Sequence, residues 1–574
     1  MPKITDLLPW KAVPKAQQYA DRGLAELHYV RKIIEAGGFP LEPPQNVAAM
    51  ANDIWKWGEI GMLPALHARR RPDKVAIIDD EGSITWKELD DAANAVAHGL
   101  LDKGVRGGDG VAILARNSRW FAMAEFGCAR VGARIILLNS SFSGPQIKEV
   151  SEREDAKLII YDDEYTEDVS KAEPPLGKLR ALGTSPDSDK ESGSQDETLA
   201  ELIERSSGNP APKASKHSSI IILTSGTTGT PKGANRSTPP SLAPIGGILS
   251  HVPFKAGEVT ALPAPMFHAL GFLHATIGAF LGSTLVLHRK FKPPVVLEDI
   301  EKHKVTAVVV VPVMLSRMVE ALEKMDKRPD LSSLRIIFLS GSALPPDVAE
   351  RALKEFGPVV YNMYGSTEIA FATIAEPKHL EFNSSTAGPV VKGVKVKIFD
   401  DNGKELPQGE VGKIFVGTSF PFEGYTGGGG KQIINGMMAS GDLGYFDEHG
   451  LLFISGRDDE MIVSGGENVF PAEVEDLISG HPDVVEATAI GVEDKEWGHR
   501  LRAFVVKKEN ADLDEDTIKK YVKDNLAKYK VPREVIFLDE LPRNSTGKIL
   551  KRELREMDNN KDDKEDKDKK DEKE

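Results

Sequence analysis

Short runs of apolar residues alternate with amphipathic segments along most of this chain, and no other feature of the sequence constrains the fold as strongly. Strand-like runs at 75–78, 111–114 and 134–138 are separated by stretches with helical spacing, such as residues 86–101. The run at 305–311 is almost wholly apolar, which is typical of a strand buried on both faces of a parallel sheet. The alternation therefore predicts an α/β fold, in which helices flank layered sheets.

The chain has 574 residues, too many for a single hydrophobic core, so at least two domains are expected. A change of pattern near residue 457 marks the predicted boundary between a large N-terminal domain, residues 61–457, and a small α+β C-terminal domain, residues 458–557. Residues 1–60 are predicted to form an N-terminal helical extension. Residues 558–574 are almost entirely Lys, Asp and Glu, which favours a disordered, charged tail.

Charge and cysteine content narrow the class of protein. The formal net charge of −15 argues against a nucleic-acid partner, because such a partner requires a basic face. The single cysteine, Cys128, lies in a helix-like context and is predicted to be a buried structural thiol. A chain that cannot form an internal disulfide fits the reducing cytoplasm.

Residues 259–288 contain no Asp, Glu, Lys or Arg, and a bilayer can be spanned by about 20 apolar residues. Pro263 and Pro265 interrupt the start of this stretch and Gly282 interrupts its end, so a buried helix near 270–281 and a strand near 285–288 are predicted instead. No signal peptide is visible. Residues 1–60 carry tryptophans that are compatible with peripheral membrane contact, but a helix packed on the body is favoured. We expect a cytoplasmic protein, with or without peripheral membrane contact.

Residues 224–233, Thr-Ser-Gly-Thr-Thr-Gly-Thr-Pro-Lys-Gly, follow an apolar run and are predicted to form a phosphate-binding loop after a buried strand. Gly226 and Gly229 allow backbone N–H groups to turn toward an anion, and Lys232 adds a compact positive charge. Hydroxyl donors come from Thr224, Ser225, Thr227 and Thr228. The loop differs from a Walker loop, because Pro231 occupies a position where that motif requires glycine.

This loop resembles the phosphate-binding signature of the adenylate-forming superfamily, which comprises acyl-CoA synthetases, peptide-synthetase adenylation domains and firefly-type luciferases. Further segments resemble other motifs of the superfamily and follow in its order. They are residues 265–272, 341–343, 361–368, 440–444, 455–460, 464–468 and 542–548. The resemblance implies a large AMP-binding domain joined by a hinge to a small mobile C-terminal AMP-binding domain.

The resemblance also implies site residues. Lys548, Glu368 and His268 would be catalytic, Glu368 with Thr224 would hold Mg²⁺, and Asp459 would be the hinge. The remaining ATP- and AMP-binding residues would be Ser225, Gly226, Thr227, Thr228, Gly229, Lys232, Gly341, Ser342, Ala343, Asn362, Tyr364, Gly365, Thr367, Asp442 and Arg457. A tunnel for the thiol would be lined by Ser464, Gly465 and Gly466.

The implied reaction uses ATP, Mg²⁺ and coenzyme A in two steps. A carboxylate and ATP give acyl-AMP and pyrophosphate, and the thiol of coenzyme A then takes the acyl group and releases AMP. The small domain would present Lys548 for the first step and turn about Asp459 for the second.

The pocket motif indicates the substrate class. His268 stands where amino-acid-activating relatives carry an aspartate, and an ammonium group buried without a partner would be costly, so an acid without an amine is expected. Ala269, Gly271 and Phe272 would form an apolar acyl pocket. A medium- or long-chain fatty acid is therefore predicted, with an aryl or cinnamate-type acid as the main alternative.

The acceptor and the activity itself have alternatives too. A fatty acyl-AMP ligase would deliver its product to a carrier protein, but the sequence contains no Asp-Ser-Leu attachment motif and no evident insertion at the hinge, which favours free coenzyme A. A non-catalytic acyl- or nucleotide-binding relative is disfavoured, because such a protein would have no need of Lys548.

Overall fold

A computed structural model describes residues 13–38, 43–182, 194–224, 232–235, 241–418, 424–426, 430–458, 460–464, 467–494, 498–527, 530–544 and 547–557. The helices of the described chain are α1 (Val13–Glu35), α2 (Pro44–Gly61), α3 (Leu63–Arg70), α4 (Trp86–Asp102), α5 (Arg119–Val131), α6 (Gly144–Arg153), α7 (Thr166–Val169), α8 (Leu199–Arg205), α9 (Ala243–Leu249), α10 (Ala269–Leu281), α11 (Pro293–His303), α12 (Pro312–Lys324), α13 (Pro346–Phe356), α14 (Pro377–Phe382), α15 (Pro471–Ser479) and α16 (Glu515–Asn525).

Strands alternate with these helices in the first half of the chain and dominate the region before α15. They are β1 (Val75–Asp79), β2 (Gly82–Thr85), β3 (Gly110–Leu114), β4 (Arg134–Leu137), β5 (Ala156–Tyr161), β6 (Lys178–Arg180), β7 (Ser219–Thr224), β8 (Lys232–Asn235), β9 (Val259–Ala261), β10 (Thr284–Val286), β11 (Ala307–Val310), β12 (Ile336–Leu339), β13 (Val360–Tyr364), β14 (Thr373–Ala375), β15 (Thr386–Gly388), β16 (Lys395–Phe399), β17 (Gly412–Gly417), β18 (Gly424–Tyr425), β19 (Ile433–Ile434), β20 (Met437–Phe446), β21 (Leu452–Arg457), β22 (Ile462–Ser464), β23 (Glu467–Val469), β24 (Val484–Asp494), β25 (Gly498–Lys507) and β26 (Glu534–Phe537).

Two large sheets, each with parallel strands at its centre, form the body of the protein. One has the order β14-β13-β12-β11-β9-β10-β1-β2, and the other has the order β18-β8-β7-β4-β3-β5-β6. An antiparallel sheet, β15-β21-β20-β17-β16 with β19 beside β20, follows along the chain. The small C-terminal domain is built on β23-β22-β25-β24, with β26 parallel to β25, and packs α15 and α16 around its own core.

The α/β class and the two-domain organisation predicted from the sequence are confirmed. The helix predicted at 86–101 is α4, and the apolar run at 305–311 contains β11, whose four residues are all buried. Residues 259–288 form β9, α10 and β10, and α10 ends at Gly282, whose φ of 63° is left-handed. Across the described residues, no helix combines the length and apolar character that crossing a membrane requires.

The N-terminal helices pack on the large domain. Both carboxylate oxygens of Glu26 on α1 accept hydrogen bonds at the start of α9, from Ser241 Oγ at 2.6 Å and from Leu242 N at 3.0 Å. On α2, the Trp57 indole donates to Ala211 O at 3.2 Å and lies under the Arg130 guanidinium, whose central carbon is 4.6 Å from the ring centre. These contacts hold both helices against the large domain.

The buried ionisable groups of helix α5 include Cys128 and Glu125. Cys128 is buried, as predicted, and burial raises the pKa of its thiol. Burial also raises the pKa of Glu125 on the same helix to about 8. The pKa of an unfolded glutamate is about 4.5. At a pH between the unfolded and folded pKa values, folding therefore takes up a proton at Glu125. The folded state consequently loses stability as the pH rises through that range.

Glu125→Gln removes this titration, because an amide does not ionise. The variant should gain stability relative to the wild type by about 2–3 kcal/mol between about pH 5 and pH 7, at about 1.36 kcal/mol per pH unit. Urea unfolding at the two pH values measures the difference. Exposed Glu149→Gln serves as the control and should show no such gain. A difference between Glu125→Gln and wild type that is the same at both pH values would contradict a titrating Glu125.

Candidate active site

A cleft of about 2320 Å³ lies where several parallel strands end. Strands β7, β11, β12 and β13 all end beside it, so their C-terminal loops face one space. Most of the sequence-predicted residues that the structure describes line it: Lys232, His268, Ala269, Phe272, Gly341, Ser342, Ala343, Asn362, Tyr364, Gly365, Thr367, Glu368, Asp442, Arg457 and Lys548.

The predicted phosphate loop connects β7 to β8. Residues 225–229 lie outside the described chain, but the two ends of the loop are placed, because Thr224 pairs with Lys232 across the antiparallel strands. Next to Lys232, Gly233 N donates to Thr426 Oγ1 at 3.0 Å, and that hydroxyl donates to the buried carboxylate of Glu154 at 2.5 Å. A buried, hydrogen-bonded anchor therefore holds the strand that follows the loop.

Glu368 faces the same end of the cleft. Tyr425 OH donates to its Oε1 at 2.6 Å, and Ser366 Oγ donates to its Oε2 at 2.8 Å. Burial alone would raise the pKa of Glu368, but these hydrogen bonds and the charge of Lys431 hold it below its usual value. The carboxylate is therefore ionised, and Lys232 Nζ lies 5.6 Å from the ring centre of Tyr425. A charged oxygen ligand beside a lysine suits a Mg²⁺ ion that also binds phosphate oxygens.

The residues predicted to bind the nucleoside come from two sheets. Gly341 follows β12 with a left-handed φ of 101°, and Asn362 and Tyr364 lie on β13. Tyr364 OH donates to Asp442 Oδ2 at 2.6 Å, and Arg457 NH1 lies 3.4 Å from Asp442 Oδ1. Asp442 and Arg457 face each other in the register of β20 and β21. The Asp442 carboxylate is thus held from both sides at the cleft wall.

Lys548 reaches the cleft from the small domain. Its backbone N–H donates to Asn544 Oδ1 at 2.9 Å, and the turn passes through Gly547, whose φ is 78°. A methyl group added at Gly547 would lie 2.4 Å from Val313 Cγ1, at the start of α12 in the large domain. The lysine turn therefore packs tightly on the large domain, and only glycine fits at this approach.

The hinge and the thiol tunnel are only partly described. Asp459, Gly465 and Gly466 lie outside the described residues, and for Ser464 the structure gives only its backbone position at the end of β22. Beside the hinge, Lys413 Nζ contacts Asp458 Oδ2 at 3.2 Å, and Lys551 Nζ contacts Glu460 Oε2 at 2.7 Å. The roles of Asp459 and of the tunnel residues stay predictions.

His268 stands at the N-terminus of α10, beside the ring of Phe267. Burial lowers the pKa of His268 to about 4, so the imidazole is neutral at physiological pH. Ala269 and Phe272 line the cleft, whereas Gly271 faces the other way. A methyl group at Gly271 would lie 2.1 Å from Pro265 O, so this glycine permits helix packing and does not itself form the pocket wall.

Several residues that shape the site were missed by sequence reasoning. Tyr425 and Thr426 precede a run of glycines, a pattern that indicates only a loop, and nothing in the sequence places them against Glu368 and Glu154. Asn139 Nδ2 lies 3.5 Å from His268 Nε2. The signal available for Asn139 was its position directly after a predicted strand, where cleft residues of a parallel sheet collect.

The fold and the cleft define a two-domain α/β enzyme in which a small domain inserts a lysine at the carboxyl ends of parallel strands. Residues 65–426 match the AMP-binding enzyme family, and residues 473–548 match the AMP-binding enzyme C-terminal domain. The chain belongs to the AMP-binding enzyme family, which is the adenylate-forming superfamily predicted from the motifs.

Named relatives agree with this membership. The fatty acid–[acyl-carrier-protein] ligase ScoC of Streptomyces coeruleorubidus is 31% identical over 509 residues, covering 86% of this chain and 95% of ScoC. A 2-succinylbenzoate–CoA ligase of Bacillus licheniformis is 32% identical over 499 residues, covering 85% of this chain and 98% of the relative. The crystal structure of ATP-bound MatB from Rhodopseudomonas palustris superposes with a TM-score of 0.74 at 26% identity, covering 87% of this chain and 98% of MatB.

The expected activity is confirmed at the level of the reaction. The protein is an AMP-forming acid–CoA ligase that adenylates a carboxylic acid and then forms a thioester, and its cofactors are ATP, Mg²⁺ and coenzyme A.

Proposed function

We propose that this protein is a fatty acyl-CoA synthetase that prefers a medium- or long-chain saturated acid. The observation that carries the proposal is an apolar channel along α10. Apolar side chains at positions 269, 272, 273 and 280 share one face of this helix and border the cleft over almost the full length of the helix. Thr276 lies on the same face, and its hydroxyl donates to Phe272 O at 2.9 Å. Ile220 and Ile222 of β7 and Ile245 of α9 border the cleft too, as half-buried apolar side chains.

The length of this channel fits an alkyl chain. From Ala269 to Phe280 the helix rises by about 16 Å, at about 1.5 Å per residue. An extended alkyl chain advances by roughly 1.3 Å per carbon, given a carbon–carbon bond of about 1.5 Å. About twelve carbons of an alkyl chain therefore fit along this helix face. A single aromatic ring would fill only about half of that length. Removing such a chain from water is favourable by about 0.8 kcal/mol for each methylene buried.

The neutral His268 supports an acid without an amine. An uncharged imidazole at the channel mouth lets the carboxylate approach the nucleotide without an ammonium-binding partner, and it can donate a hydrogen bond to a carboxylate oxygen. We infer that His268 orients this carboxylate at the near end of the channel, while the apolar face of α10 receives the chain.

For adenylation, we infer that Lys232 and the loop before it hold the β- and γ-phosphates, and that Asp442 accepts hydrogen bonds from the ribose hydroxyls. Mg²⁺ bound at Glu368 would neutralise charge between phosphate oxygens. Lys548 would stabilise the negative charge that develops as the carboxylate attacks the α-phosphorus and pyrophosphate departs. The tight approach of Gly547 to Val313 supports a small domain already placed for this step.

Pyrophosphate release tests the substrate class. The purified enzyme is supplied with Mg-ATP and one acid at a time, from hexanoate to octadecanoate and including cinnamate, with and without coenzyme A. We expect kcat/KM to peak between decanoate and hexadecanoate, with acyl-CoA formed only when coenzyme A is present. Preference for cinnamate would contradict the proposal and favour the aryl acid ligase.

The carrier-protein alternative is supported by the relative ScoC, whose name states an acyl-carrier-protein acceptor. In the same assay, an enzyme of that kind would release pyrophosphate and accumulate acyl-AMP, with no acyl-CoA formed after coenzyme A is added. That outcome would support a fatty acid as the substrate, with a carrier protein and not coenzyme A as the acceptor.

A further inference from the structure

The N-terminal helical extension contributes to the wall of the cleft. Met50 and Ile54 of α2, together with Ile60, border the same cleft as the nucleotide-binding residues. These apolar side chains are half-buried and pack on the main core, so each keeps a surface turned toward open space. All three precede residue 65, where the match to the AMP-binding enzyme family begins. This part of the wall therefore lies outside the matched segment.

Gly38, six residues before the start of α2, lies at the end of α10 that is farthest from His268. A methyl group added at Gly38 would lie 2.8 Å from Phe280 Cε1, and Phe280 is the last residue of α10 that borders the cleft. His268 precedes the first residue of the same helix. Gly38 and His268 therefore lie at opposite ends of α10.

Helix α2 is fixed in an orientation that keeps Met50 and Ile54 on the cleft side. The two residues are four positions apart and share one helix face. Asp53 and Trp57, three and seven positions after Met50, lie on this same face of α2. The Asp53 carboxylate contacts Arg69 NH2 at 2.5 Å, and the buried Trp57 indole is held by Ala211 and Arg130. These partners hold this face of α2 against the large domain, and Met50 and Ile54 on it border the cleft.

We propose that Met50 and Ile54 determine chain length, because their side chains meet the methyl end of the acyl chain and set the longest acid that fits. This inference rests on the proposed function, since it requires an alkyl chain in the channel. It assigns a specificity role to residues of the extension.

The test compares kcat/KM for hexanoate, decanoate, tetradecanoate, octadecanoate and cinnamate in three variants of the full chain. Ile54→Trp fills the end of the channel and should lower kcat/KM for tetradecanoate and longer acids by at least about tenfold, with hexanoate changed less than about twofold. Met50→Ala enlarges it and should raise kcat/KM for octadecanoate by about threefold to tenfold. Val47→Ala, on an exposed position of the same helix, should match the wild type.

Opposite shifts from the two cleft variants cannot come from a general loss of stability, which would lower kcat/KM for every acid. An unchanged chain-length profile in Met50→Ala, with Ile54→Trp either unchanged or lowered uniformly, would overturn the chain-length role and leave the fatty acid substrate standing. Turnover of cinnamate alone by the wild type would instead overturn the proposed function, and this inference with it.

Discussion

Lys548→Ala should reduce acid-dependent pyrophosphate release by about 100- to 1000-fold, the size of effect expected when a positioned charge that stabilises a transition state is removed. The turn through Gly547 packs on Val313 and brings Lys548 to the cleft, so alanine removes the charge without altering the turn. Conversion of supplied acyl-AMP and coenzyme A to thioester should change much less, because that step does not form a bond at the α-phosphorus. Single-turnover assays of each half-reaction measure the two effects separately.

A matched control is available in the same domain. Lys520 is exposed on α16, where it contacts Asp524 at 2.7 Å, and Lys520→Ala should leave both half-reactions unchanged. An equal loss of both half-reactions in Lys548→Ala would show that this lysine supports the small domain as a whole and has no special part in adenylation.

Glu368→Gln should weaken adenylation by about tenfold to 100-fold and raise the Mg²⁺ concentration needed for half-maximal rate, by analogy with the cost of disturbing a metal's ligand shell. The amide has the shape of the carboxylate, and its oxygen can still accept a hydrogen bond from Tyr425, but it lacks the charge that a hard cation prefers. Titration of the initial rate of pyrophosphate release with Mg²⁺ at saturating ATP measures the change.

Tyr425→Phe separates the charge of Glu368 from its hydrogen bond. This variant keeps the carboxylate and loses the 2.6 Å contact, so its rate should fall by only about threefold to tenfold, as for one hydrogen bond to a charged group. If Glu368→Gln required no more Mg²⁺ than wild type, the metal-binding role would be wrong, and Glu368 would be a residue that shapes the cleft.

Local sequence patterns predicted elements of the large domain, including a strand that ends at the cleft. The helix at 86–101 and the strand within 305–311 formed where the spacing of apolar residues required them, because burial of those residues decides the element. Motif order predicted a common site for Asp442 and Arg457, and the register of β20 and β21 brings them face to face.

Contacts between distant segments could not be predicted in the same way. Tyr425 reaches Glu368 because β18 pairs with β8, and this antiparallel pairing joins segments about 190 residues apart. The position of Gly547 against Val313 depends on how the two domains dock. Such contacts depend on tertiary packing, and the spacing of apolar residues along the chain does not indicate them.

The attachment of α1 and α2 to the large domain has a consequence for how this enzyme could diversify. The residues predicted to bind the nucleotide and helix α2, which borders the same cleft, lie in separate stretches of the chain. Changes in the first 60 residues could therefore alter the range of acids accepted while leaving the reactive end of the cleft untouched. Selection could then change the preferred acid without changing the residues of the adenylation reaction.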